Sequence, residues 1–104
     1  MRKVTEQASN AFMNDKAFKQ GSTEVRVDGD EVAMYLHGHK IARKNITTKV
    51  VEINNCNYET NVTKERLNGV IGEVSGYGDE IYQSQFVWYW KDAQPFLSNR
   101  WNEL

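Results

Sequence analysis

Residues 57–69 of the chain read NYETNVTKERLNG, and this stretch decides how the fold is interpreted. Thr60 or Asn61 can accept the first main-chain hydrogen bonds of a helix, and Gly69 suits the position just past a last turn. Segments with strand character lie on both sides of the stretch. It therefore predicts one short helix, over 60–69, placed against a sheet.

The segments before this helix alternate apolar and polar residues, which is the period of a half-buried strand. The candidate strands cover 23–27, 32–37, 40–44 and 49–54. Tight turns are predicted at Asp28-Gly29 and at His37-Gly38, because glycine adopts positive φ without a steric penalty. Together these segments predict an antiparallel meander of about four strands.

The N-terminal residues show helical spacing, with Val4, Ala8 and Phe12 four residues apart. We expect a helix over 5–14, with Thr5 capping its first turn. Phe18 is expected to pack back onto the domain.

A strand is predicted over 81–91, where aromatic and β-branched residues concentrate. Trp88 and Trp90 share one face of this strand, and Tyr89 shares the other with Val87. One face must pack on the core. If the other face is exposed, its aromatic area indicates a surface for a partner.

These elements predict an α+β fold. Its order is an N-terminal helix, an antiparallel β-meander of about four strands, one short helix and an aromatic C-terminal strand. A length of 104 residues predicts a single domain over 1–104.

Composition restricts the class of protein. Hydrophobic residues make up 39% and charged residues 26%, a balance typical of globular proteins. The formal net charge of −1 argues against coating of duplex nucleic acid by bulk electrostatics. One cysteine, no signal-peptide pattern and no long apolar run predict a cytoplasmic protein without a membrane segment.

Three side chains, His37, His39 and Cys56, are candidates for metal ligands or for a nucleophile with its base. A turn at Gly38 would separate the two imidazoles, and a closed zinc site needs four ligands. Cys56 stands among asparagines, outside any pattern of cysteine enzymes, and a lone cysteine is typically a small buried apolar residue. We therefore predict no metal, no cofactor and no catalytic residue.

The aromatic strand combined with basic residues is the stronger candidate for a working surface. Aromatic rings can stack on bases, and cations at the rim can contact phosphates. The candidate contact surface comprises Trp88, Tyr89, Trp90, Lys64, Arg66, Arg43 and Lys44.

Several segments carry a resemblance to known sequences: residues 35–42 (YLHGHKIA), 57–68, 81–83 with Trp88-Tyr89, and 4–18. On these segments the chain resembles a group of small uncharacterised proteins encoded by tailed bacteriophages and prophages. The resemblance implies a phage-encoded accessory protein in the bacterial cytoplasm and implies no reaction. The chain departs from the group at residues 90–93 (WKDA), which lack the glycine turn that follows the Trp-Tyr strand.

The leading hypothesis is a non-enzymatic protein that binds a host or phage protein, in a host-modulation or anti-defence type of role. The alternative is a single-stranded nucleic-acid-binding protein that uses a basic patch and exposed aromatic side chains. A cysteine-dependent enzyme that uses Cys56 is the third hypothesis.

Overall fold

The computed structural model of the chain describes residues 2–104, without the side chain of Tyr77. Helices and an antiparallel sheet follow one another in the predicted order, which confirms the α+β class. The elements are α1 (Lys3–Met13), β1 (Phe18–Gln20), β2 (Thr23–Asp28), β3 (Glu31–Leu36), β4 (His39–Asn45), β5 (Val51–Ile53), α2 (Asn61–Val74), a 3-10 helix (Tyr77–Asp79), β6 (Tyr82–Ser84), β7 (Val87–Trp90), β8 (Gln94–Pro95) and β9 (Asn102–Glu103).

The main sheet has six strands in the order β1-β2-β3-β4-β5-β9, all antiparallel. The predicted meander is confirmed as β2 to β5, and β1 and β9 extend it at its two edges. The predicted turns are present as well. Gly29 has a φ of 58°, and His37 and Gly38 have φ values of 52° and 81°.

The two faces of the main sheet differ in polarity. Val25, Met34, Ala42 and Ile53 form one cross-strand row, and all four are buried on the side that α1 and α2 cover. The opposite side carries one ion pair within β2, Arg26–Glu24. It also carries two ion pairs between neighbouring strands, Lys40–Glu31 and Arg43–Glu52. Burial of one face and solvation of the other fix the strand register.

Helix α2 is longer than predicted and runs to Val74, so the prediction that it ends at Gly69 is wrong. Gly69 lies in the middle of α2 and faces α1. A Cβ atom at this position would lie 2.4 Å from Ser9 Oγ and 2.5 Å from Thr5 Cγ2. Glycine is required here for the close approach of the two helices, not as a helix stop. At the other end, Thr60 is the N-cap, one of the two predicted candidates, and its Oγ1 accepts the Thr63 N–H at 3.2 Å.

Helix α1 begins two residues earlier than predicted. Arg2 is its N-cap and supplies no side-chain hydrogen bond. Thr5 is therefore not a cap, because it lies inside the first turn, fully buried, and donates its hydroxyl to Glu65 Oε1 of α2 at 2.6 Å. The polar side chain that suggested a cap instead links the two helices.

The C-terminal region forms a second, three-stranded sheet in the order β6-β7-β8, so the prediction of one strand over 81–91 is wrong. The chain reverses at Gln85 and Phe86, with φ values of 50° and 67°, between the paired residues Ser84 and Val87. It reverses again at 91–93, where all three residues have positive φ without a glycine. This sheet attaches to α2 through Asn68, whose side chain bonds both main-chain groups of Ile81 at 2.7 and 3.1 Å.

No helix in residues 2–104 combines the length and the apolar character needed to cross a membrane.

Candidate functional site

Arg66, a predicted contact residue, is buried at the junction of α1, α2 and β2. Its Nε donates to Thr23 Oγ1 at 3.1 Å, and its Nη1 donates to Thr5 Oγ1 at 2.6 Å and to Glu65 Oε1 at 2.8 Å. Burial lowers the pKa of this guanidinium, which still remains charged at neutral pH. With three hydrogen bonds inside the protein and only 5% of its surface exposed, Arg66 cannot form part of an external contact surface.

Lys44 is also buried, and its expected role as a surface cation is wrong for the same reason. Its Nζ donates to the Met13 carbonyl at 2.9 Å and lies 2.7 Å from Asp15 Oδ1. A cation at the end of α1 satisfies a free carbonyl and complements the negative end of the helix dipole. Lys44 therefore stabilises the end of a helix.

The other two predicted cations are only half-buried. Arg43 donates from Nε to Glu52 Oε1 at 3.0 Å, and its guanidinium lies 4.0 Å from the centre of the Trp101 ring. Lys64 forms none of the side-chain hydrogen bonds or ion pairs found among residues 2–104. The structure thus keeps one of the four predicted cations, Lys64, open to a phosphate or a carboxylate.

The aromatic strand divides its side chains between core and surface. Trp88 and Trp90 are 2% and 5% exposed and pack against Phe96, with ring centroids 5.9 and 5.2 Å away. Because the rings of both tryptophans lie in the core, they are not available as the contact surface that was predicted for them. Tyr89 points to the opposite face and is half-buried.

This opposite side of the small sheet is exposed and largely apolar. Tyr82 pairs with Tyr89 across β6 and β7, and their rings stack with centroids 5.8 Å apart. We use the name outer hairpin face for this surface, which comprises Tyr82, Val87 and Tyr89 together with Phe86 at the hairpin turn and Leu97 shortly after β8. Of the seven large apolar side chains that are exposed in the described part of the chain, four belong to it: Tyr82, Phe86, Val87 and Leu97.

Phe86 holds the most exposed position on the outer hairpin face. It is 88% exposed, and it occupies the second loop position of a two-residue hairpin at a φ of 67°. Such hairpins favour Asn-Gly at these positions, since a bulky side chain at positive φ is strained. The chain thus places an aromatic ring in water at a position where glycine would be more stable.

The C-terminal segment that contains the outer hairpin face is mildly acidic. Residues 79–104 contain four acidic and two basic side chains, a net charge of −2. One of the two cations, Lys91, donates to the Glu103 carbonyl at 3.0 Å and lies 4.3 Å from the centre of the Trp90 ring. This net negative charge is unfavourable for binding the phosphate backbone of a nucleic acid.

A small pocket lies between the β3–β4 turn and the start of α2. It has a volume of about 310 Å³ and is lined by Leu36, Ile41, Val62, Asn55 and Tyr58 among others. Ser98 accepts a hydrogen bond from Asn55 Nδ2 at 3.1 Å and donates one to Glu59 Oε2 at 2.8 Å, which ties the chain after β8 to the loop that precedes α2.

Cys56 lies near the β3–β4 turn that carries the two histidines and is bonded to the main chain there. The Cys56 thiol donates to the Lys40 carbonyl at 3.2 Å, and burial raises its pKa, which disfavours the thiolate. His37 and His39 are exposed at the β3–β4 turn, and His39 lies against Tyr58 with ring centroids 4.6 Å apart. Within the described residues, no three side chains of His, Cys, Asp or Glu are grouped as metal ligands would be.

Sequence reasoning missed Phe86 and Tyr82 as surface residues, because it joined both to one continuous strand. Gln85-Phe86 carries none of the usual turn residues, so pattern alone did not place a turn there. One signal was present. Residues 81–90 form a ten-residue run without any charged side chain, in a chain that is 26% charged.

No curated protein and no solved structure matches the chain. The model of the Kyanoviridae Gp96 protein family matches residues 1–103, nearly the whole chain. This match confirms the resemblance to small proteins of tailed bacteriophages. The chain therefore belongs to the Kyanoviridae Gp96 protein family.

Proposed function

We propose that this protein is a non-enzymatic accessory protein that acts in the cytoplasm of the infected bacterium by binding a host or phage protein. The outer hairpin face is the contact surface in this proposal. The partner's surface is mainly apolar there, with neutral or basic side chains at its rim.

The observation that carries this proposal is the exposure of Phe86 together with Tyr82 and Val87 on one hairpin. Aromatic side chains that project from a folded surface are typical anchors of protein interfaces, and an apolar patch of this kind is unusual on a protein that acts alone. The hairpin is held firmly, since Trp88 and Trp90 are buried beneath it and Asn68 fixes its first strand. An anchored hairpin presents its aromatic side chains with little loss of conformational freedom on binding.

Charge favours a protein partner over a nucleic acid. Binding of single strands combines stacked aromatic rings with a basic groove, but residues 79–104 have a net charge of −2. Arg66 and Lys44, which would have formed the basic rim, are buried on other elements.

The proposal is tested with two valine substitutions of matched exposure. Val87 is 45% exposed on the outer hairpin face, and Val27 is 42% exposed on β2 of the main sheet. We expect Val87→Asp to lose a protein that co-purifies from infected cells with the unchanged chain, and Val27→Asp to retain it. Circular dichroism and melting curves of both variants establish that each is folded.

Equal retention or equal loss of that protein by the two folded variants would contradict the proposed surface. A titration with a single-stranded oligonucleotide at two salt concentrations tests the alternative hypothesis, a protein that binds single-stranded nucleic acid. Binding that weakens steeply with salt and is lost in Val87→Asp would assign the surface to nucleic acid instead.

A further inference from the structure

The pocket between the β3–β4 turn and α2 has the composition of a small-molecule site. No lysine, arginine, aspartate or glutamate stands among the described residues that line it, and Leu36, Ile41 and Val62 give it an aliphatic wall. Its volume of about 310 Å³ lies at the lower end of the range of ligand sites, which are mostly apolar with a few polar groups that orient the ligand. The pocket therefore fits a compact, uncharged and mainly apolar molecule.

Asn55 lines this pocket and is fully buried. Its Oδ1 accepts the N–H groups of Asn57 and Asn99, each at 2.9 Å. Its Nδ2 donates to Ser98 Oγ at 3.1 Å, and none of the hydrogen bonds found within residues 2–104 uses the second hydrogen of this amide. Since buried polar groups are normally hydrogen-bonded, an acceptor inside the pocket would complete the amide.

Two threonines at the start of α2 supply a second donor. Thr60 Oγ1 and Thr63 Oγ1 lie 3.0 Å apart and share one hydrogen bond, and Thr63 is only 2% exposed. Whichever hydroxyl donates, the hydrogen of the other takes part in none of the hydrogen bonds of the described chain. Both threonines line the pocket, so its polar side offers donor hydrogens to a ligand.

Two aromatic rings complete the lining. His39 and Tyr58 lie with their ring centroids 4.6 Å apart. The loop before Tyr58 is held in a defined conformation, because Cys56 and Asn57 have φ values of 53° and 64° and the Tyr58 N–H donates to the Asn55 carbonyl at 2.8 Å. Strained main chain of this kind persists only where the surrounding structure fixes it. The pocket thus presents ring surface for stacking without rearrangement.

We propose that this pocket binds an uncharged aromatic heterocycle with carbonyl or ring-nitrogen acceptors, which is the chemistry of a nucleobase. The ring packs against the aliphatic wall and the His39–Tyr58 pair, and its acceptors take the hydrogens of Asn55 and of the threonine pair. A ring without acceptors would leave these buried donors unpaired. An anion would enter a half-enclosed site without a lysine or arginine to balance its charge.

The base can belong to a free nucleoside or to an unpaired nucleotide of a chain, and the experiment distinguishes these two sources. The residues involved differ from those of the outer hairpin face. The inference therefore does not rest on the proposed function.

Titration of the ¹⁵N-labelled chain with uridine, cytidine, adenosine and inosine tests the site by NMR. We expect at least one nucleoside to shift the amide signals of Asn55, Tyr58 and Thr63, with a Kd of about 0.1–1 mM for a ligand of this size. Benzoate, an anion with one aromatic ring, should bind at least about tenfold more weakly. An octanucleotide of the preferred base that binds no more tightly than the nucleoside assigns the site to free nucleosides, and tighter, salt-dependent binding assigns it to a nucleotide within a chain.

Two tyrosines of matched exposure provide the variant and its control. Tyr58 is 50% exposed at the pocket, and Tyr82 is 46% exposed on the hairpin. We expect Tyr58→Ala to weaken nucleoside binding at least about fivefold and Tyr82→Ala to leave it unchanged. Thr63→Val, which removes a hydroxyl and keeps the shape of the side chain, should weaken it by a similar factor.

Circular dichroism establishes that each variant is folded. Absence of shifts at the pocket with all four nucleosides at about 10 mM, or tighter binding of benzoate than of any nucleoside, would overturn the proposal. Binding that is unchanged in both folded Tyr58→Ala and folded Thr63→Val would overturn it as well.

Discussion

Substitution of Gly69 by alanine tests the account of how the two helices pack. Gly69 is buried in the middle of α2 and faces Ser9 and Thr5 of α1. The added Cβ would lie 2.4 Å from Ser9 Oγ and 2.5 Å from Thr5 Cγ2, closer than non-bonded atoms approach. The helices must separate or the two side chains must rotate, and Thr5 is held by its hydrogen bonds to Glu65 and Arg66.

The magnitude follows from two opposing effects. Alanine favours a helix interior over glycine by about 1 kcal/mol, so Gly69→Ala would stabilise an unpacked helix. Overpacking of a tight interior costs about 1–3 kcal/mol, and two sub-van der Waals contacts place this case at the upper end. The expected net loss is about 2 kcal/mol in the free energy of unfolding, or roughly 10 °C in Tm for a domain of this size.

Urea and thermal unfolding, followed by circular dichroism, measure this loss. The matched rescue is a triple variant with Gly69→Ala, Ser9→Ala and Thr5→Ser, which removes the two clashing atoms and keeps the Thr5 hydroxyl function. It should recover most of the lost stability, because Ser9 Oγ has no hydrogen-bond partner to lose. A Gly69→Ala protein as stable as the parent, or a triple variant less stable than the single one, would refute the packing argument.

Three further predictions concern the hairpin and the end of α1. Phe86→Gly should raise the unfolding free energy by about 1 kcal/mol in urea titrations, because glycine adopts positive φ without strain, and a decrease would contradict this interpretation. Asn68→Ala should cost about 2 kcal/mol and speed hydrogen exchange in β6, since both main-chain groups of Ile81 lose their partner; unchanged exchange would argue against this anchor. The hydrogen bond from Lys44 lowers the pKa of Asp15 below its ordinary value of 3.8, so ionised Asp15 stabilises the folded state. Asp15→Asn should therefore be less stable than the parent above that pH, and the difference should shrink as pH falls below it in acid-unfolding curves; a constant difference would exclude this origin.

The sequence predicted the elements whose signals are local. The alternation in β2 to β5 and the glycine turns are properties of neighbouring residues, and the structure has them where they were expected. Thr60 likewise caps the helix that follows it. The role of Gly69 was misjudged because a glycine that ends a helix and a glycine that allows two helices to approach closely look the same in sequence. Only the position of α1, which is distant in the chain, distinguishes them.

Burial of the cations could not be predicted for a related reason. Lys44 and Arg66 look like surface residues, since cations are almost never buried unless they are paired. Their partners come from elsewhere in the chain: Met13 and Asp15 for Lys44, and Thr5 and Thr23 for Arg66. An alternating strand, by contrast, tells which residues share a face, so Trp88 and Trp90 were correctly placed together. The pattern did not tell which face is buried.

Replacement of Phe86 by glycine is expected to change stability and partner binding in opposite directions. If the ring makes no contact outside the chain, Phe86→Gly weakens no binding and leaves the core untouched, because the ring is 88% exposed. If the ring is a contact for another protein, the strain at its positive φ is retained because the ring contributes to binding. Phe86→Gly should then be more stable than the parent and bind its partner less well. Higher stability together with weaker binding would show that the ring contacts a partner. Higher stability alone would not distinguish such a contact from an exposed side chain without a role.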